Sequence, residues 1–114
     1  MTIEEQEKAL ELLKQWNNNG EFIVKETTYK LVNQSHQFRA DVLSIYSQIE
    51  ANIIMGNYGF LNRDDFKKMM VKVEERVLFD GMQLSKLPKH FDEYPQNFRD
   101  FIATSLKVIV APLY

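Results

Sequence analysis

The side chains best suited to chemistry near neutral pH are His36 and His90, the only two imidazoles in the chain. Imidazole titrates close to pH 7 and is a common metal ligand, so either could start a general-base or metal site. Neither has suitable company. A di-iron helical site needs paired Glu-x-x-His units on facing helices, and the sequence contains none. His90 and Glu93 have the right types in reverse order, but Pro88 and Pro95 interrupt a regular helix around them. Cysteine is absent, which removes thiolate nucleophiles, disulfides and Cys-ligated zinc and fits a reducing compartment.

Acid–base work by two carboxylates requires environments that push their pKa values apart. The adjacent pairs are Asp64-Asp65, Glu74-Glu75 and Asp92-Glu93. Neighbours on a helix point in different directions, and Asp64 and Asp65 have a structural use beside a helix N-terminus. Ser35 and Ser105 lack a nucleophile-elbow pattern. Gly56-x-x-Gly59 is too short for a phosphate loop and comes after a helix rather than opening one. Lys67, Lys68, Lys72 and Arg76 could line one side of a helix as a DNA-gripping stripe does, but Asp64, Asp65, Glu74 and Glu75 dilute it. The 14 basic against 16 acidic residues leave a net charge of −2, so there is no positive excess to hold a polyanion by counterion release. The expectation is a chain without enzymatic activity, cofactor or metal, for which nucleic acid is a disfavoured partner.

The most unusual feature is aromatic density in two non-periodic segments, Tyr58-Gly59-Phe60 and His90-Phe91-Asp92-Glu93-Tyr94. Aromatics beside charge are common in recognition surfaces. They also pin loops to cores, which is their routine use. His90, Phe91, Asp92, Glu93 and Tyr94 form the candidate interaction surface.

The elements that position these residues read as helices. Thr2 and Glu5 have capping-box spacing, and Ile3, Ala9, Leu10, Leu13 and Trp16 recur with helical period until Asn17-Asn18-Asn19-Gly20, predicting a first helix over 3–18. Phe22-Ile23-Val24 favours β structure but has no evident pairing partner, and reads as a connector. Leu31, Ser35, Phe38, Val42, Ile45, Ile49 and Asn52 step by four and three, predicting a long helix over 28–55 that ends at Gly56 or Gly59. Asn62 as N-cap, Asp64 and Asp65 in the first turn and a Leu61–Phe66 staple start a third helix. Its stripe is Phe66, Met69, Met70, Val73 and Val77; Asp80-Gly81 closes it near residue 80, with Met82 folding back onto Val77. After an irregular crossing from Met82 to Tyr94, Pro95 opens a last helix over 95–110 that Pro112 terminates. Val108 to Ala111 would suit a buried strand equally well, but continues the helical period.

With 45% apolar and 12% aromatic residues in 114, the chain can build one sizeable core. The fold class expected is all-α: a single domain, 1–114, with about four helices in a mostly antiparallel bundle. An acidic start and the lack of a long apolar run predict neither a signal peptide nor a transmembrane helix, and a cytoplasmic bacterial or phage setting. The function expected is a non-enzymatic protein-binding module: an inhibitor, an immunity or antitoxin-like factor, an adaptor or a self-associating subunit. The alternatives are a small-ligand or metal-binding helical domain using His36 and His90, and a DNA-binding helical regulator.

Overall fold

A computed structural model describes residues 2–7 and 20–114. Residues 3–7 are helical, and the Oγ1 of Thr2 accepts from the Glu5 amide at 3.1 Å as the capping spacing predicts. The rest of the predicted 3–18 helix lies outside the described residues. The all-α expectation is wrong: the chain is mixed α/β, with a four-stranded antiparallel sheet as well as helices.

The sheet has strand order β1-β2-β3-β4, with β1 Glu21–Val24, β2 Thr27–Leu31, β3 Val77–Phe79 and β4 Met82–Gln83. Two hairpins build it, joined side by side through β2 and β3. Phe22-Ile23-Val24 is therefore no connector but the edge strand, paired Phe22 to Tyr29 and Val24 to Thr27. Burial alternates along β1 and β2, putting Phe22, Val24, Tyr29 and Leu31 on the core face. Period-two alternation is the mark of a half-buried strand.

Both hairpins close through two residues with positive φ, the type I′ geometry that matches strand twist. Asp80 (φ 52) and Gly81 (φ 81) do so with a preferred dipeptide. Lys25 (φ 44) and Glu26 (φ 72) do so with two side chains that disfavour the left-handed region. Asp80-Gly81 is thus a hairpin turn and not a helix C-cap.

Between the hairpins run α1, His36–Ile54, and α2, Asp64–Glu75, linked by a 3-10 turn at Gly59–Asn62. Ser35 is the N-cap of α1, its side chain accepting from the Phe38 amide at 3.1 Å. Its polarity at a seam position is that of a cap, and the helix begins there, not at residue 28. Phe38, Val42, Tyr46 and Ile49 form the buried stripe of α1. Arg63, not Asn62, is the N-cap residue of α2. That helix stops at Glu75, because the Arg76 carbonyl accepts from the Val32 amide at 2.9 Å and carries the chain straight into β3 beside β2. Sheet pairing takes Val77 and its neighbours away from the helix that local periodicity would extend.

The final segment contains α3, His90–Glu93, a 3-10 turn at Pro95–Asn97, and α4, Phe98–Val110. Val108, Ile109 and Val110 stay helical. Phe101, Ile102, Ser105, Leu106, Val108, Ile109 and Val110 are all buried, so α4 is nearly enclosed, as a central helix must be when it is apolar around most of its circumference. It packs against α1 and against the core face of β1, where Phe101 meets Phe22 (6.0 Å between ring centroids) and Tyr29 (5.1 Å). Burying side chains of this size stabilises the fold by roughly 1.5–3 kcal/mol each. Among the described residues no helix is long and apolar enough to cross a membrane.

Candidate functional site

The residues with chemical potential fall into two regions. The first is buried. The short helix α3 drives His90 into an aromatic shell, with Phe79 at 4.6 Å, Phe91 at 4.8 Å, Tyr94 at 5.0 Å and Tyr29 at 5.5 Å between centroids. Its Nε2 lies 2.7 Å from the Tyr29 hydroxyl. That hydroxyl also accepts from Asn97 Nδ2 at 3.2 Å, and the same amide donates to Thr27 Oγ1 at 3.0 Å. A hydroxyl has one proton to give. A neutral His90 pairs with the hydroxyl in either tautomer: Nε2 accepts that proton when Nδ1 carries the ring's own, and Nε2–H donates to the hydroxyl alongside Asn97 in the other.

The electrostatics agree with that neutral state. Burial lowers the pKa of His90, opposed by the nearby Glu93 carboxylate. Burial raises the pKa of Tyr29, with the Asn97 hydrogen bond pulling the other way and Tyr94 adding to the rise. Tyr29 is 0%, Asn97 1% and His90 5% exposed. A general base must come within hydrogen-bond reach of its substrate, and His90 and Tyr29 are buried and hold each other, while Asn97 Oδ1 is buried without a hydrogen-bond partner among the described residues. The chain of contacts Thr27–Asn97–Tyr29–His90 fastens the segment carrying α3 to the first hairpin.

The candidate surface of His90, Phe91, Asp92, Glu93 and Tyr94 is accordingly split. His90 is inside; Phe91 and Tyr94 are half-buried, Phe91 packing on Phe98 and Phe101 and Tyr94 on Phe79. Only Asp92 and Glu93 are exposed. His36, the first residue of α1, is exposed, and no interaction among the described residues joins it to His90. No group of three or more His, Asp or Glu stands together as a metal site among the described residues. The basic stripe also disperses. Arg76 lies over the Phe38 ring at 4.4 Å and donates to the Lys72 carbonyl, whereas Lys68 and Lys72 share a shallow groove with Asp41 and Asp65.

The second region is open. Between α2 and α4 runs a groove of about 210 Å³ lined by Leu61, Phe66, Met70, Val71, Phe98 and Ile102, with Lys67 and Glu74 the only charged residues along it among those described. Lys67, Met70, Val71 and Glu74 are spaced i, i+3, i+4 and i+7, one stripe of α2. Phe66 and Ile102 are buried beneath it. Val71 is 54% exposed. Glu74 is half-buried, and burial alone raises its pKa. It makes no hydrogen bond or ion pair among the described residues. The sequence signal for this groove was Met70-Val71 beside Val73, which gives α2 more apolar surface than one core-facing stripe absorbs.

No family model matches the chain, and neither a curated protein nor a solved structure matches it.

Proposed function

We propose that this chain is a non-enzymatic protein-binding module, of the inhibitor, immunity or antitoxin-like, or adaptor kind, and that the groove between α2 and α4 is its contact surface. The observation that carries the reading is the groove itself: aliphatic and aromatic walls from two helices, left open with Val71 more than half exposed. Concave apolar surface with few polar groups is where partners bind, and an amphipathic helix laid into such a groove is a recurrent mode of recognition. The balance of charge, −2 in total, favours a protein over a nucleic acid as that partner. A cytoplasmic location belongs to the same reading, supported by a cysteine-free sequence.

The test is recovery of a partner from cells that natively make the chain, with the wild type and Val71→Asp as parallel baits. Val71 is exposed, so the variant keeps its circular dichroism and melting temperature. A stoichiometric partner held by the wild type and lost by Val71→Asp supports the reading. A partner retained by Val71→Asp moves the contact surface elsewhere.

A further inference from the structure

Residues 84–97 form three short elements, the 3-10 turns Leu84–Lys86 and Pro95–Asn97 and the four-residue helix α3. Leu84 is their one buried apolar side chain, with Leu87, Phe91 and Tyr94 half-buried. The other two buried side chains are polar: His90 and Asn97, both of which reach the first hairpin at the Tyr29 hydroxyl. Segments with few buried apolar contacts are the ones that open locally. The rest of the core does not pass through this one, because α4 packs directly on α1 and β1 and the buried stripes of α1, α2 and α4 lie outside it.

The hold on the hairpin depends on the charge of one ring. When His90 is neutral, Nε2 takes the Tyr29 proton while the hydroxyl accepts from Asn97, so the hydroxyl both gives and receives. A protonated imidazole has an N–H at both nitrogens. The hydroxyl then receives from both sides, and its own proton has no acceptor among the described residues, because Asn97 presents Nδ2 to it. No carboxylate is paired with the charge either. Around the ring stand Tyr29 of β2, Phe79 of β3, Phe91 of α3 and Tyr94; the charged group acting on it is Glu93 of its own helix, which is exposed and makes no ion pair with it. Burial disfavours the charged ring more than Glu93 favours it.

We propose that His90 is an acid-sensitive latch: when its ring is protonated, residues 84–97 detach from the first hairpin while α1, α2 and α4 stay folded. What detachment uncovers is aromatic. Phe91 leaves Phe101, Tyr94 leaves Phe79, and His90 leaves Tyr29. The latch is independent of the α2–α4 groove and of what binds there.

Amide hydrogen exchange of the full chain at about pH 7.5 and about pH 5.5, either side of the ordinary imidazole value, tests this once rates are corrected for the intrinsic pH dependence of exchange. The amides of Leu87, His90, Glu93 and Tyr94 are hydrogen-bonded within the segment. They should exchange at least about tenfold faster than those of α1 and α4 at both pH values, as a sub-global opening requires. Their protection should fall by up to about tenfold on acidification, the most that one imidazole of ordinary unfolded-state value delivers over that range. His90→Gln should remove the fall. Tyr29→Phe, which keeps the ring, should lower their protection at neutral pH by about fivefold or more. A single protection level shared by the segment, α1 and α4 makes the opening global and overturns the latch. Segment protection that ignores pH overturns it too, as does a fall that survives in His90→Gln. Should His90→Gln fail to fold, Tyr29→Phe decides: unchanged segment protection at neutral pH means the hydroxyl does not hold the segment, and the latch is wrong.

Discussion

Where the first hairpin meets the 84–97 segment, three buried polar side chains, Asn97, Tyr29 and His90, and the half-buried Thr27 hold one another. In the α2–α4 groove a single carboxylate, Glu74, is half-buried and holds nothing among the described residues. Both regions set polar atoms against aromatic and aliphatic walls, and both shift pKa values by burial. The difference is closure. In the first region the Tyr29 hydroxyl, His90 Nε2 and Asn97 Nδ2 each hold a neighbour in the same chain, which strengthens the fold, and Asn97 Oδ1 alone of the network is buried without a partner among the described residues. In the second, Glu74 has no such neighbour among the described residues. A perturbed pKa marks both places; what separates them is that His90 and Tyr29 hold each other inside the core, whereas Glu74 lies half-exposed in an open groove.

The largest effect that could break this contrast comes from Tyr29. Tyr29→Ala removes a fully buried ring that touches Phe22, Phe79, His90 and Phe101, and should destabilise by about 3–5 kcal/mol in urea or guanidinium unfolding. The matched change in the groove, Val71→Ala, should stay within about 0.5 kcal/mol. Comparable losses at both positions would erase the distinction. Tyr29→Phe is the sharper test, because it keeps the ring and deletes only the hydroxyl. It leaves Nε2 of His90 and an N–H of Asn97 without that partner, and should cost about 1–3 kcal/mol in the same assay. A neutral Tyr29→Phe would mean the network adds nothing to the fold.

Titration separates the regions by sign. His90 has a folded-state pKa below its ordinary value. As pH falls below that ordinary value the unfolded chain takes up a proton that the folded chain refuses, so the folded state loses stability as the solution acidifies. The denaturation midpoint should drop between about pH 7.5 and pH 5.5, the range around the ordinary imidazole value, and the drop should flatten in His90→Gln. An unchanged slope in that variant would remove His90 as its cause.

Why the first region and the sheet around it were hard to read in the sequence is a matter of turns. α1 and α4 were legible because apolar residues recur with helical period over many residues, from Phe38 to Ile49 and from Phe101 to Ile109. The two hairpins were not. Lys25-Glu26 makes a type I′ turn without the Asn or Gly that announces one, so β1 looked unpaired. Asp80-Gly81 is a standard hairpin signal, but it comes so soon after α2 that it also fits a helix C-cap, and only the pairing of Leu31 with Val77 decides between the two. That pairing joins residues far apart in sequence, which local pattern does not encode. The same holds for His90, whose segment was legible as aromatic-rich. Its burial depends on Tyr29 and Asn97, which the sequence places far from it on one side and beyond Pro95 on the other. The groove was half visible: Glu74 was singled out as one of an adjacent acidic pair, while the apolar neighbours that make it unusual come from α4 and the Gly59–Asn62 turn.

The smallest expected effect is also the most discriminating. Glu74 has a folded-state pKa above its ordinary value, so the sign runs opposite to that of His90. Its contribution is fully present below the ordinary carboxyl range and is lost as pH rises through the folded-state value. At neutral pH the ionised group therefore works against folding. Glu74→Gln should raise stability at neutral pH by about 0.5 kcal/mol or less, because the carboxylate keeps part of its water, and that gain should disappear in unfolding curves recorded near about pH 3.5, below the ordinary carboxyl value. For a residue of the closed network, substitution lowers stability and impairs anything the fold supports in the same stroke. For Glu74 the sign should be opposite, with the variant melting higher at neutral pH. A carboxylate whose removal strengthens the fold is one that stability does not require. If Glu74→Gln lowers stability instead, the carboxylate is fastening α2 in place, and the groove is a second closed region like the first.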